Sequence, residues 1–359
     1  VAAKDAPVIQ AKLRQRKTWL KEEMQKHYAF LSKDVNVAGS NKNEEFEVNY
    51  HKDGRVEVEV RKIDKSGDLE QKLYSRTFLP GETQEIRLYG LKGDDTFQFK
   101  GEGPGRIKVR VIPGKGEKSF EDKGNTKKRN TLIYQNTDEK VPIALGESAR
   151  IKYAPSISYL NYNRKEFKYD KVMPLASVAI NKDDGVFLGA GVLWEKHGFK
   201  KEPFSLRQSI VGNYAIKSNA FNIEYNGHAV DALGNLDLVW KADVRAPDYA
   251  YNFFGTGNET EYNNSTYEID YYRARFSWYE LSGGLQSRLG ESGSFTIGPH
   301  YQVYRFDQDD NSNKFITSPE SGLDQVDLDK AKFYSGLSAK VVFDRRDHKA
   351  IPTRGLYFE

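Results

Sequence analysis

NLDLVWKADVR, from Asn235 to Arg245, decides the reading of this chain. Leu236, Leu238, Trp240, Ala242 and Val244 take one side of an extended backbone. Asn235, Asp237, Lys241, Asp243 and Arg245 take the other, with Val239 the one exception. Period two means a strand with two unlike faces. In a soluble sandwich such alternation usually runs for roughly 4–8 residues, and a dry core has no place for a row of charges. A strand with lipid on one side and a wet interior on the other accommodates both.

The same pattern recurs. Phe333, Leu337, Ala339, Val341 and Phe343 oppose Lys332, Tyr334, Ser338, Lys340 and Asp344. Phe221, Ile223, Tyr225 and Ala229 oppose Asn222, Glu224, Asn226 and His228, and Phe295, Ile297, Tyr301 and Val303 oppose Thr296, His300 and Gln302. Working outward gives about ten strands, at 173–181, 185–195, 203–215, 219–231, 234–245, 267–279, 282–290, 293–306, 330–344 and 354–359. The fold class is therefore all-β: an antiparallel transmembrane β-barrel over 172–359, with too few strands to close and expected to be C-terminally truncated. Long polar connections at 246–266 and 307–329 fall on opposite parities in this count, against the rule that long loops share one end of a barrel.

Ahead of the barrel, residues 1–34 read as a basic amphipathic helix. Ile9, Leu13, Leu20, Met24, Tyr28 and Leu31 lie near one face; such a basic helix can lie on a membrane surface, but packing on a neighbouring domain is the expected use of that face. Short strands punctuated by Gly and Pro over 35–124 read as a small antiparallel, soluble sandwich-like module, with Asp53-Gly54 as a hairpin turn. A polar run then makes 125–171 a linker into the barrel.

Composition bounds the reading. The 359 residues include no cysteine, which excludes disulfides and thiolate sites, and 55 basic against 51 acidic residues leave no nucleic-acid footprint. Mean hydropathy of −0.73 and the lack of a long apolar run exclude a helical membrane protein, but not a barrel. Aromatic residues make up 13% of the chain, which by composition alone favours an aromatic-rich soluble β protein over the interfacial girdles of a barrel. The first residues carry no signal peptide, although the barrel reading demands export.

DRRDHKAIPTRGLYFE, Asp344 to Glu359, resembles the D-x-R-D…P-T-R-G signature of the bacterial surface antigen family, the barrel part of the BamA/TamA-like outer-membrane superfamily. NKDDGVFLGAGV (Asn181 to Val192) and NFFGTGNET (Asn252 to Thr260) are similar to the same barrels in Bacteroidetes-type sequences. RLYGLKGDDTFQF (Arg87 to Phe99) resembles the module that precedes them, where a calcineurin-like phosphoesterase often lies upstream. The resemblance implies a sixteen-strand barrel whose seam opens for client proteins. It also implies outer-membrane lipids, client proteins and periplasmic factors as partners, and a periplasmic N-terminal module. Neither the helices of client-delivery domains nor a two-metal phosphoesterase motif appears, and the six histidines are scattered.

Asp344, Arg346, Asp347, Pro352, Arg354 and Gly355 read as a structural clamp, in which arginine grips carboxylate at a strand end, against the alternative of a solvated turn. Asp183, Asp184 and Gly185 read as a hairpin turn, and Phe254, Gly255, Gly257 and Asn258 as a family-like loop. Gly93-Asp94-Asp95 and Gly116 with Phe120 look like two degenerate G-x-D turns. Asp94 and Asp95 are weak calcium candidates, because Lys118 stands where a second acid is wanted, and a hairpin turn is the expectation there. No catalytic residue and no cofactor is assigned: Glu166, Glu195, Glu224, Glu268 and Asp270 form no evident pair. Three functions follow for test: a barrel that inserts or translocates protein or lipid, a membrane anchor for an upstream phosphoesterase, or a soluble all-β ligand-binding protein.

Overall fold

The structure is a computed structural model describing residues 2–136, 145–154, 161–181, 184–258 and 260–359. It is mostly β, with one α-helix among the described residues, and divides into two compact units, Val1–Glu166 and Phe167–Glu359.

The first unit opens with α1 (Ala2–Lys33). Every residue from Asp5 to Leu31 is exposed, so no described residue of the helix's own unit covers the apolar stripe. The strands that follow are β1 (Asp34–Ala38), β2 (Glu44–Tyr50), β3 (Val56–Ile63), β4 (Leu69–Phe78), β5 (Glu85–Tyr89), β6 (Asp95–Gly103), β7 (Lys108–Ile112), β8 (Lys118–Asp122), β9 (Asn125–Thr126), β10 (Thr131–Asn136) and β11 (Ala149–Ala154).

These strands do not build the expected antiparallel sandwich. One sheet, ordered β1-β5-β7-β10-β11, is parallel throughout. The other, ordered β4-β3-β2-β6-β8 with β9 beside β6, is antiparallel only at β2-β3 and β3-β4. The chain steps from one sheet to the other and back, so neighbours within a sheet are one coil apart. Glu85 pairs with Lys108 and Asp95 with Lys118, each 23 residues on. Between β1 and β5 the step is 51 residues, because the β3-β4 pair is inserted in that coil. Period-two patterning identifies strands but is blind to this pairing, which a longer repeat sets. The coil also runs past the expected boundary at 124: β10 and β11 fall in the stretch read as linker and complete the parallel sheet.

Its core is one apolar cluster in which Phe46, Val48, Ile86, Leu88, Phe97, Phe99, Val109 and Val111 are fully buried. Phe46, Phe97 and Phe120 stand in successive coils, their rings stacked at 4.9 and 5.4 Å.

The second unit is a nine-stranded antiparallel sheet in chain order: β12 (Lys171–Asn181), β13 (Gly185–Gly198), β14 (Lys201–Ala215), β15 (Phe221–Leu233), β16 (Leu236–Asn252), β17 (Arg273–Leu289), β18 (Gly293–Phe306), β19 (Lys332–Asp344) and β20 (Tyr357–Phe358). The stretches 267–279 and 282–290, counted as two strands, are one: Glu280 and Leu281, the gap between them, lie inside β17, followed by Gly283 and Gly284. Gly283 and Gly227 flank Trp240 in the cross-strand row, and a Cβ on Gly227 would sit 1.8 Å from the indole. Gly227 makes room for the ring. Merging the two strands also removes the parity conflict. Connections 253–272 and 307–331 now lie at one end of the sheet, and the two- and three-residue turns at 234–235 and 290–292 lie at the other.

Phe97→Ala should cost the first unit about 3–5 kcal/mol through the cavity left in the phenylalanine stack. Hydrogen exchange mapped by mass spectrometry should show faster exchange in β2, β6 and β8 and unchanged protection in β15–β18.

Candidate functional site

Alternation places one face of the second unit's sheet in charge-rich surroundings. Asp243 on β16 is wholly buried. It accepts from Asn222 Nδ2 on β15 at 2.8 Å and from Arg245 Nη2 at 3.1 Å, and Lys241 stands 3.5 Å from both Asp243 and Glu280 of β17. The Arg245 guanidinium lies 4.4 Å over Trp278 and 4.9 Å over Tyr249. Toward the short-turn end, Asp237 contacts His228 Nε2 at 2.9 Å and Arg288 at 3.1 Å, and accepts from the Asp231 amide at 2.8 Å. Glu195 of β13 takes Arg207 Nε at 2.8 Å, with His197 at 3.2 Å. Buried carboxylates thus meet cations or N–H donors in each case, as the cost of burying a charge requires.

The sheet is strongly curled. Asp184, in the turn before β13, lies 3.9 Å from Arg275 of β17. Four strand spacings in a flat sheet would separate those positions by about 19 Å. Asp184 is buried and Gly185 carries φ +77°; Asp183 lies outside the described residues.

At the long-loop end the two connections pack on each other. Tyr272 is buried among Phe254 (5.1 Å between ring centres), Tyr262 (5.4 Å) and Phe315 (5.2 Å). Fully buried Asn311 clasps the backbone of Arg275, accepting from its N–H and donating to its C=O, both at 2.7 Å. Lys314 pairs with Asp270 and holds that carboxyl below the usual range. Of the loop residues expected from sequence, Phe254 joins this cluster and Gly255 abuts Phe315, whereas Gly257 and Asn258 sit at an exposed bend.

The C-terminal motif separates into two devices. Arg346 grips Asp344 bidentately, at 2.8 and 2.9 Å, and lies 4.4 Å over Tyr357. Asp347 does not pair with the Arg354 guanidinium in the way a single charge cluster would require. It accepts from the backbone N–H groups of His348, Thr353 and Arg354 at 2.9–3.1 Å and from the Thr353 hydroxyl, which holds its carboxyl at about 2. Arg354 enters through its backbone, Pro352 is exposed in the turn, and Gly355, at φ +114°, lies where a Cβ would meet Arg345 O at 2.2 Å.

Asp94 and Asp95 form a coil corner between the two sheets of the first unit, not the expected hairpin turn. Asp94 Oδ1 accepts from the Glu117 amide of the next coil at 2.9 Å. Asp95 is buried, accepts from the Glu44 amide at 3.1 Å and pairs with Lys118 at 2.5 Å. The ammonium takes the place a cation would need, and among the described residues no group of three His, Asp or Glu side chains is placed to hold a metal. Burial pushes the Asp95 carboxyl up to about 6 against the pull of Lys118.

Comparison with protein-family models and with curated proteins returned no match, so these sites are read from their own geometry.

Because the folded Asp95 binds its proton more tightly than an unfolded aspartate, this group makes the first unit less stable as pH rises from about 4 to 6. Asp95→Asn should remove that slope, a difference of at most about 3 kcal/mol for a two-unit displacement. Urea equilibration at pH 4 and pH 7, followed by pulse-labelled exchange of β6–β8, measures it; parallel pH dependences in both proteins would contradict it.

Proposed function

We propose that the second unit forms part of the wall of an outer-membrane β-barrel, with its apolar face on lipid and its charged face on a wet interior, and that the protein acts in inserting or translocating protein or lipid there. The reading rests on an inversion of ordinary burial. Val178, Leu281, Phe333 and Leu337 are 59–81% exposed, while Asp243, Asp237 and Glu195 are at most 5% exposed. An apolar surface spread over eight strands far exceeds what a monomer leaves in water. Strands β12–β19 run 11–17 residues, enough to cross a bilayer at a tilt. That the two longest connections, 253–272 and 307–331, share one end, opposite the turns at 234–235 and 290–292, supports the same orientation, with those turns toward the periplasm.

Handling of clients draws support from the resemblance at Asp344, Arg346, Asp347, Pro352, Arg354 and Gly355, and from the edge at β12. An edge strand presents unpaired N–H and C=O groups that another strand can complete. On this reading the first unit lies in the periplasm.

Leu337→Arg should destabilise the folded chain in phosphatidylcholine vesicles by about 2–4 kcal/mol, and Ser338→Arg on the opposite face by far less. Denaturant titration of vesicle-bound protein distinguishes the two. A chain that stays monodisperse in buffer without detergent would remove the membrane assignment.

A photo-crosslinker at Ser177 of β12 should capture the terminal strand of unfolded barrel proteins added during their insertion. The same probe at Gly212, inside the sheet on β14, should not. Equal capture at both positions, or none at Ser177, would leave a wall without a client-handling role.

A further inference from the structure

The helix α1 has no use in either unit's core. Its described ties to the rest of its unit lie toward its C-terminal end: Thr83 Oγ1 donates to Ser32 O, the Gln84 amide donates to Lys33 O at 2.8 Å, and Tyr28 touches Glu82 and Arg76. Upstream, Ile9, Leu13, Trp19, Leu20 and Met24 are all more than half exposed. Helices draw most of their stability from packing an amphipathic face, so a helix of 32 residues, about 48 Å long, that leaves this face open calls for a surface to cover it.

We propose that α1 lies along an anionic lipid leaflet, with its apolar stripe in the acyl boundary and its basic side chains at the headgroups. Ile9, Leu13, Leu20, Met24 and Leu31 recur at spacings of four, seven, four and seven residues and stay on one face of a 3.6-residue helix. Arg14, Lys17 and Lys21 fall beside that stripe at the same periodicity. From Asp5 to Lys33 there are seven Lys or Arg residues against three acidic ones, Asp5, Glu22 and Glu23. Both of those glutamates pair with Lys26, which leaves the excess positive charge upstream of Glu22. That excess selects the occupant. A second copy of the helix would bring like charge against like charge, with Arg16 and His27 in the seam. An anionic leaflet attracts the charge and takes the stripe. The inference is independent of the barrel reading, because it uses only the first unit.

The absence of native cysteine allows single-site labelling of the full chain. An environment-sensitive fluorophore is placed at Leu20→Cys on the stripe, at Thr18→Cys on the opposite face, and at Leu337→Cys to report independently on the second unit. Vesicles of phosphatidylcholine alone and of phosphatidylcholine with phosphatidylglycerol are then titrated in. The expected result is a blue shift at Leu20 with the anionic vesicles, little at Thr18, and at least tenfold weaker half-saturation with neutral vesicles or with the variant Arg14→Glu/Lys17→Glu/Lys21→Glu. The Leu337 signal reads barrel insertion separately. No shift at Leu20 with anionic vesicles, an equal response to both lipids, or a lipid-independent shift accompanied by doubled mass would overturn the proposal, the last in favour of self-association.

Discussion

The antiparallel ladder of β12–β19 fixes the side on which every residue of the second unit stands, and most of what is distinctive here depends on that register. In a β-strand a slip of one residue exchanges the two faces. Slipping β16 against β15 and β17 would turn Leu238, Trp240 and Val244 toward Glu224 and Glu280 and leave Asp243 without Asn222. The register holds because it satisfies both faces together. Asp243 keeps its donors, and Trp240 lies over Gly227, where no side chain competes for the space. Cross-strand complementarity of this kind is specific, whereas the apolar face alone would tolerate several alignments.

In the first unit the constraint is the pitch of the coil. Parallel strands one coil apart put like positions above one another, so each row must be compatible with itself. Phenylalanine on phenylalanine is, and Phe46, Phe97 and Phe120 stack. Acid on acid is not, and the corner row shows the remedy: Glu44 and Asp95 are followed by Lys118 in the next coil, whose ammonium offsets the buried carboxylate. The same lysine that spoils a calcium site therefore makes the coil stackable.

How far the sequence reveals this depends on the range of each interaction. Strands of the second unit are legible because period-two alternation is local: 333–344 matches β19 closely, whereas β16 runs seven residues past 245, into the stretch read as a polar connection. The break placed at 280–281 misleads because β17 continues through it, and the Gly283-Gly284 pair that follows weakens the one-dimensional strand pattern. The coil of the first unit is hidden because its pairing is set 23 residues away. Its visible trace is the similarity of KGDDTF and KGEKSF, which in the sequence read as two degenerate G-x-D turns rather than as corners of a coil. The Asp344–Arg346 clamp is legible from residues two apart on one side of a strand. Asp347's role is not, since its partners are backbone amides across a turn. Asn311 carries no signal at all: an asparagine in a polar loop says nothing about the strand it will clasp.

The polar face is better understood as a structural lining than as a reaction centre. Catalytic acids and bases need a group poised to give or take a proton, with room for a substrate atom beside it. Asp243, Asp237 and Glu195 are each held by two or more donors, and His228 and His197 serve as partners of those carboxylates. Charges committed in this way line a curled wall at little cost in stability. They help to keep the strands in register. The sheet places its charges in mutual contact on one face and leaves large apolar side chains exposed on the other. The edges of the described sheet also leave backbone N–H and C=O groups open to a further strand.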